Sequence, residues 1–207
     1  MGNLYHLFFY VAIGVGVLVY GLIIWSAIRY RRRRTDTGEL PRQFRYQVPL
    51  EITYTAIPVL IVVGLMVATF RTEQRVNRLV PQPAVVVNVT GFQWQWRFDY
   101  PASGVSVVGT PTKASTMVVP VGQTVRINLV ARDVIHSFYV PDFLFKRDAI
   151  PGITNRFDLL VPTAGTFRGE CAEYCGLNHG DMDFSVKAVA PAQFQQWLAA
   201  QSSGASG

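Results

Sequence analysis

The segment Cys171-Ala-Glu-Tyr-Cys-Gly-Leu-Asn-His-Gly-Asp-Met182 sets two thiols, an imidazole and a thioether within twelve consecutive residues, all soft or borderline metal ligands. Its two cysteines are the only ones in the chain, and of the two histidines upstream, His6 lies beside the first apolar run and His136 stands in Val-Ile-His-Ser-Phe-Tyr-Val. A distant histidine joined to a later loop that carries Cys, His and Met close together is the ligand arrangement of a blue-copper electron carrier. His136, Cys175, His179 and Met182 satisfy it. Cys171 is then left over, four residues before Cys175. A loop folded about one point can aim both sulfurs at the same site, where two thiolates bridge two copper ions and one electron is shared across the pair. Sharing keeps bond changes small when the electron arrives or leaves.

Three other readings use the same residues. A Cys171–Cys175 disulfide suits a domain outside the cytoplasm, although so small a loop gains little stability from closure. A tetrahedral zinc site from Cys171, Cys175, His179 and His136 has acceptable ligand types and leaves Met182 without a role. His136 alone can also be read as a hydrogen-bonded core histidine.

Working outward, the chain beyond Pro81 and Pro83 consists of short β-branched and aromatic stretches separated by Gly and Pro. Strands are predicted near 84–90, 92–100, 115–119, 124–131, 153–161, 165–171 and 183–190, with turns at Pro101–Gly104, Pro120–Gly122, Pro151–Gly152 and Ala164–Gly165. The pattern predicts an all-β Greek-key sandwich or barrel over residues 81–200. Phe92, Trp94, Trp96, Phe98 and Tyr100 share one parity, as in a strand with one buried face. Pro191 opens a short helix over 192–200, and residues 201–207 are expected to form a flexible tail.

The N-terminal 80 residues read differently. Leu7 to Ile28 and Ile52 to Phe70 contain no Asp, Glu, Lys or Arg, and each run is close to the ~20 residues that cross a bilayer core. A two-helix transmembrane hairpin over residues 1–80 is predicted, with helices at about 7–28 and 50–72. The start Met-Gly-Asn-Leu-Tyr-His lacks the positive charge of a cleavable signal. Arg29, Arg31, Arg32, Arg33, Arg34, Arg42 and Arg45 lie between the two runs, against Arg71, Arg75 and Arg78 after the second. That asymmetry predicts a cytoplasmic loop, with both termini and the β-domain on the extracytoplasmic side.

The formal net charge of +6 gives no nucleic-acid surface. Residues 1–80 hold ten Lys/Arg against four Asp/Glu, whereas residues 81–207 hold nine of each. The excess is a membrane-topology signal beside a formally neutral domain.

The loop resembles the binuclear copper (CuA) signature of cytochrome c oxidase subunit II, Cys-x-Glu-x-Cys-Gly-x-x-His-x-x-Met. The likeness extends to the two-helix hairpin, the Leu50-Glu-Ile-Thr-Tyr-Thr-Ala-Ile-Pro58 entry to the second helix, the aromatic Gly91-Phe-Gln-Trp-Gln-Trp96 segment and Asp148-Ala-Ile-Pro-Gly152. The resemblance implies a membrane-anchored cupredoxin domain that takes electrons from reduced cytochrome c and passes them to haem in subunit I, where oxygen is reduced to water with proton pumping. It implies Cys171 and Cys175 as bridging thiolates, His136 and His179 as terminal ligands, Met182 as a weak ligand and Glu173 as a ligand through its carbonyl. It further implies Trp94 as the electron-entry residue, Glu51 as the entrance of a proton pathway, and the Glu173 side chain as one ligand of a magnesium ion shared with subunit I.

Asp142, Asp148, Asp181 and Asp183 are candidates for docking a basic cytochrome c. The partners implied are subunits I and III, a cytochrome c donor and the lipid bilayer of a bacterial cell or mitochondrial inner membrane. Quinol oxidases of this architecture lack the copper ligands, all of which are present here. With the chain ending soon after Trp197, the donor is expected to be a separate chain. A membrane-tethered copper carrier with no oxidase partner is the alternative from another class.

Overall fold

The computed structural model describes residues 2–31, 43–110 and 112–204. The chain divides into two compact units between Gln74 and Arg75, within the last turns of the second helix. In the first unit, α1 spans Gly2–Arg29 and α2 spans Val48–Val76. Both are long and apolar enough to cross a membrane, and neither buries a side chain within the chain. They overrun the predicted helices at both ends because the polar flanks also favour helix. Arg71 to Gln74 are good helix formers or satisfied ones, with Thr72 Oγ1 donating to the Ala68 carbonyl at 2.8 Å. Arg32, Arg33, Arg34 and Arg42 of the topology argument lie outside the described residues.

The second unit is a sandwich of two five-stranded sheets, as the strand pattern predicted. Its strands are β1 Val85–Phe92, β2 Gln95–Tyr100, β3 Val105–Val108, β4 Ser115–Pro120, β5 Thr124–Ala131, β6 His136–Val140, β7 Phe145–Ala149, β8 Asn155–Leu160, β9 Gly165–Cys171 and β10 Asp183–Val189. One sheet runs β3-β2-β1-β5-β8 and the other β4-β10-β9-β6-β7. β1 pairs parallel with β5 and β4 parallel with β10, so partners distant in sequence are neighbours, as a Greek-key arrangement requires.

Between the sheets, Trp96, Phe98, Phe138, Phe157 and Phe184 are fully enclosed. The Phe138 and Phe184 rings stack with centroids 4.6 Å apart, and Trp96 lies 5.3 Å from Phe184. Tyr100 couples the sheets at the other end: its hydroxyl donates to the Val118 carbonyl and accepts from the Val118 N–H, both at 2.8 Å. Burial pushes its phenol well above the ordinary value.

Two expectations are corrected. The predicted strand over 92–100 is broken: Gln93 and Trp94 form the turn of a β1–β2 hairpin with Phe92 opposite Gln95, so Trp94 lies outside the parity series that buries Trp96, Phe98 and Tyr100. The C-terminal helix α3 spans Pro191–Gly204, so the first part of the expected tail is helical. Its last turns are steadied by Ser202 Oγ and Ser203 Oγ, which donate to the Leu198 and Ala200 carbonyls at 2.9 and 3.0 Å. Residues 205–207 lie outside the described residues.

Candidate metal centre

His136 opens β6 and Cys171 closes β9, and these strands are adjacent, with Phe138 opposite Cys171 in the antiparallel register. From Cys171 the chain leaves the sheet, makes a one-turn 3-10 helix at His179–Asp181 and re-enters as β10. The Cys171 N–H donates to the Met182 carbonyl at 3.1 Å, and the Ala172 N–H to the Ser137 carbonyl at 3.1 Å. The loop is therefore tied at its mouth to both neighbouring strands.

Inside this loop the predicted ligands converge. Cys171 Sγ and Cys175 Sγ are 3.8 Å apart. His136 Nδ1 is 3.9 Å from Cys171 Sγ, and His179 Nδ1 is 3.6 Å from Cys175 Sγ. Met182 Sδ is 3.8 Å from Cys175 Sγ, while the Glu173 carbonyl is 3.3 Å from Cys171 Sγ. His136, Cys171, Cys175 and Met182 are buried, and His179 is half-buried. Each of the other four predicted donors lies within 3.9 Å of one of the two sulfurs, and His136, Cys171 and Cys175 form the tightest group.

The donor set fits copper. Both cysteines are free thiols, so the disulfide reading does not hold in this structure. The two sulfurs, 3.8 Å apart, are close enough for both to bind the same metal ion. One imidazole lies beside each sulfur, and a thioether and a carbonyl would be further weak donors, a softer and larger set than a four-ligand zinc site uses.

The electrostatics prepare the thiols for metal. Burial opposes ionisation of Cys171, but hydrogen bonds with His136, the Glu173 and Ser137 backbone and His179 outweigh it and bring its thiol down to about 6. Burial and the Cys171 charge push the Cys175 thiol up to about 12. One thiolate thus forms readily, and the second proton leaves when a cation replaces it. Burial also works against a charge on His136, yet its bonds to Cys171 and Asp133 raise its value above the ordinary one.

Asp133 joins this site without any sequence signal for it. Its Oδ1 lies 2.8 Å from His136 Nε2, fixing the ring so that Nδ1 faces the sulfurs. The carboxylate is held by the N–H groups of Gln93 and Val134, each at 2.7 Å. Burial opposes its charge, and these bonds together with His136 keep its carboxyl below the ordinary value. Trp96 closes the inner side, its ring 6.1 Å from that of His136. Gly91 fits closely there: a Cβ at that position would stand 3.2 Å from both the His136 and Trp96 rings, which would have to give by a few tenths of an ångström.

The remaining predicted residues divide. Trp94 is half-buried against the loop, its indole N–H donating to the Cys175 carbonyl at 3.2 Å. The exposed Glu173 carboxylate lies 3.4 Å from Lys146 Nζ. Asp148 accepts from Ser137 Oγ at 2.8 Å and Asp183 pairs with Arg168 at 3.1 Å, whereas Asp142 and Asp181 are exposed. Glu51, in the other unit, sits in the first turn of α2, where its Oε1 accepts from the Gln47 N–H at 3.1 Å.

Residues 85–189 match the family described as cytochrome C oxidase subunit II, periplasmic domain. The chain is 42% identical over 225 residues to the probable cytochrome c oxidase subunit 2 of Streptomyces avermitilis, covering 90% of this chain and 70% of that relative. It is 34% identical over 245 residues to the cytochrome c oxidase subunit 2 of Mycobacterium tuberculosis, covering 90% and 67%. Among solved structures, the periplasmic domain of subunit II of cytochrome oxidase (CoxB) of Bradyrhizobium japonicum superposes with a TM-score of 0.56 at 32% identity, over 61% of this chain and 99% of that one.

Proposed function

The chain belongs to the cytochrome c oxidase subunit II family, and from that membership we propose that it is the electron-entry subunit, holding a binuclear copper centre that accepts electrons from reduced cytochrome c for haem in subunit I. The observation that carries this reading is the pair of free sulfurs 3.8 Å apart with an imidazole Nδ1 beside each. Bound copper supplies the one-electron couple. The protein's part is to hold the donors where they need to be in both oxidation states. Cys171 and Cys175 would supply the thiolates, Nδ1 of His136 and of His179 the imidazole ligands, and Met182 and the Glu173 carbonyl the weak ones.

A site whose ligands are fixed by two strands, a clasped loop and a carboxylate behind His136 changes little when its charge changes, which favours rapid transfer. Trp94 places an aromatic ring at the surface side of that loop and bonds directly to the Cys175 carbonyl, so it serves as the entry point. Asp142, Asp148, Asp181 and Asp183 are the acidic residues that meet a basic cytochrome c, with the exposed Asp142 and Asp181 carrying the charge that no cation among the described residues neutralises.

The remaining assignments follow the family. The two apolar helices anchor the domain beside subunits I and III, with both termini and the copper domain on the extracytoplasmic side. Glu51 opens a proton pathway into subunit I. The Glu173 carboxylate, beside Lys146 in this structure, would be one ligand of a magnesium ion shared with subunit I. Copper loading of the purified full-length chain tests the central claim. Two copper atoms per chain, with an electron paramagnetic resonance hyperfine pattern spread over two equivalent nuclei, are expected; one atom, or a single-nucleus pattern, overturns it.

A further inference from the structure

Gln93 occupies the turn between β1 and β2 and touches both halves of the ligand set. Its backbone N–H donates to Asp133 Oδ2 at 2.7 Å, and the other oxygen of that carboxylate lies 2.8 Å from His136 Nε2. Its side-chain Nε2 donates to the Cys175 carbonyl at 2.8 Å, the same acceptor that takes the Trp94 indole N–H at 3.2 Å. That carbonyl therefore has both lone pairs engaged by the turn. The peptide it belongs to is further confined by Gly176, whose φ is +117° and where a Cβ would lie 3.1 Å from Gln93 Nε2 and 3.3 Å from the Trp94 ring.

These bonds do little for the sandwich itself. Gln93 is exposed, and the interior is filled by Trp96 and Phe98 from the same hairpin. What they join is Cys175 on the ligand loop to His136 on β6, two donors 39 residues apart that no direct bond connects. We infer that Gln93 is a positioning residue of the metal centre, locking the Cys175 peptide to the Asp133-held His136 so that the sulfurs keep their bridging separation with or without metal. The inference rests on the copper reading above and deepens it.

The test uses the full-length chain in detergent as wild type, Gln93→Leu and Gln93→Glu. Leucine removes the amide, while glutamate keeps its length and loses the donor; a thermal melt verifies folding, and glutamate carries the comparison should leucine fail to fold. The first readout is the metal-free, reduced protein exposed to excess oxidised glutathione. Cys171 and Cys175 give up two electrons and two protons as their disulfide forms, and the glutathione disulfide is reduced to two thiols. A disulfide needs the sulfurs at about 2.05 Å, so unlocking the loop speeds closure. The expected acceleration in the variants is about two- to tenfold, the scale of one net hydrogen bond.

The second readout is the copper-loaded protein, where both variants are expected to shift the reduction potential and the hyperfine pattern at unchanged copper content. Wild-type behaviour of a folded variant in either readout overturns the inference. Should the wild type itself bind fewer than two copper atoms, the copper reading fails, and the oxidation rates alone then decide whether Gln93 locks the loop.

Discussion

The Cys171 N–H donates to the Met182 carbonyl at 3.1 Å, so the first and last residues of the ligand loop are joined by the bond that continues the β9–β10 ladder beyond Glu170 and Asp183. The loop's two ends are thus as fixed as the sheet. Whatever the ten residues between them do, the Cys171 and Met182 side chains start from a rigid base, and the remaining donors need only local turns to reach them.

Met182 separates a packing role from a ligand role. It is 1% exposed, with its sulfur 3.8 Å from Cys175 Sγ. Met182→Leu conserves volume and is expected to cost less than about 1.5 kcal/mol of metal-free stability. The copper spectrum of the same variant should nevertheless change. A shifted melt with an unaltered spectrum would show that Met182 merely fills space.

Trp94→Phe keeps an aromatic ring in the turn and deletes the indole N–H that reaches the Cys175 carbonyl. Electron entry from reduced cytochrome c should slow in the assembled oxidase while copper content is retained. A rate equal to wild type would remove Trp94 from the entry route.

The legibility of this fold tracked composition. The ligand loop was readable because its donors are contiguous, and the interior strands β1, β5, β9 and β10 because β-branched and aromatic residues recur along them. β3 and β7 were missed: each is a short edge strand that buries a single residue, unlike the edge strand β4, which buries five of its six. β7, Phe-Lys-Arg-Asp-Ala, even carries the residues that strands usually avoid. β6 was missed for the opposite reason: four of its five residues are buried, including three in succession, so no alternation marks it. Asp133 and Gln93 gave no signal, because their partners lie on strands and loops that only the folded topology brings near them.

Salt dependence distinguishes among the four docking aspartates. Asp183 is paired with Arg168 at 3.1 Å, and Asp148 lies 3.8 Å from Lys146 Nζ and bonds Ser137. Asp142 and Asp181 are exposed and enter no ion pair among the described residues. Only charges left uncompensated steer a basic partner across a Debye length. Asp142→Asn and Asp181→Asn should therefore flatten the ionic-strength dependence of the association rate with cytochrome c more than Asp148→Asn or Asp183→Asn. Equal effects from all four would dismiss this division.

Glu51→Gln retains an amide oxygen that can accept from the Gln47 N–H, so the start of α2 should survive the change. The carboxyl that could carry a proton is gone. Proton-coupled turnover of the assembled oxidase is expected to slow with the copper spectrum untouched; unchanged proton uptake would leave Glu51 as a helix cap alone.

The segment leading into the β-domain is clamped at Val80 by an ion pair. Asp158 and Arg126 form an ion pair whose side chains are 9% and 16% exposed, and the pair grips Val80 by both backbone groups. The Val80 N–H donates to Asp158 Oδ2 at 2.6 Å, and Arg126 donates to the Val80 carbonyl. Burial opposes the Asp158 charge, but the Arg126 hydrogen bonds, the Val80 N–H and the Arg126 charge outweigh it, so the folded carboxyl titrates below its ordinary value. The unfolded chain binds this proton first as pH falls through about 4. Stability from the pair is therefore complete above that pH and is lost as pH drops towards the folded value. Asp158→Asn leaves the half-buried Arg126 without its counter-charge and should destabilise the domain by about 1–3 kcal/mol at neutral pH. Denaturant melts between pH 3 and pH 6 should show a shallower fall in stability for the variant than for the wild type. Parallel curves would mean that Asp158 is not held below its ordinary value in the folded state.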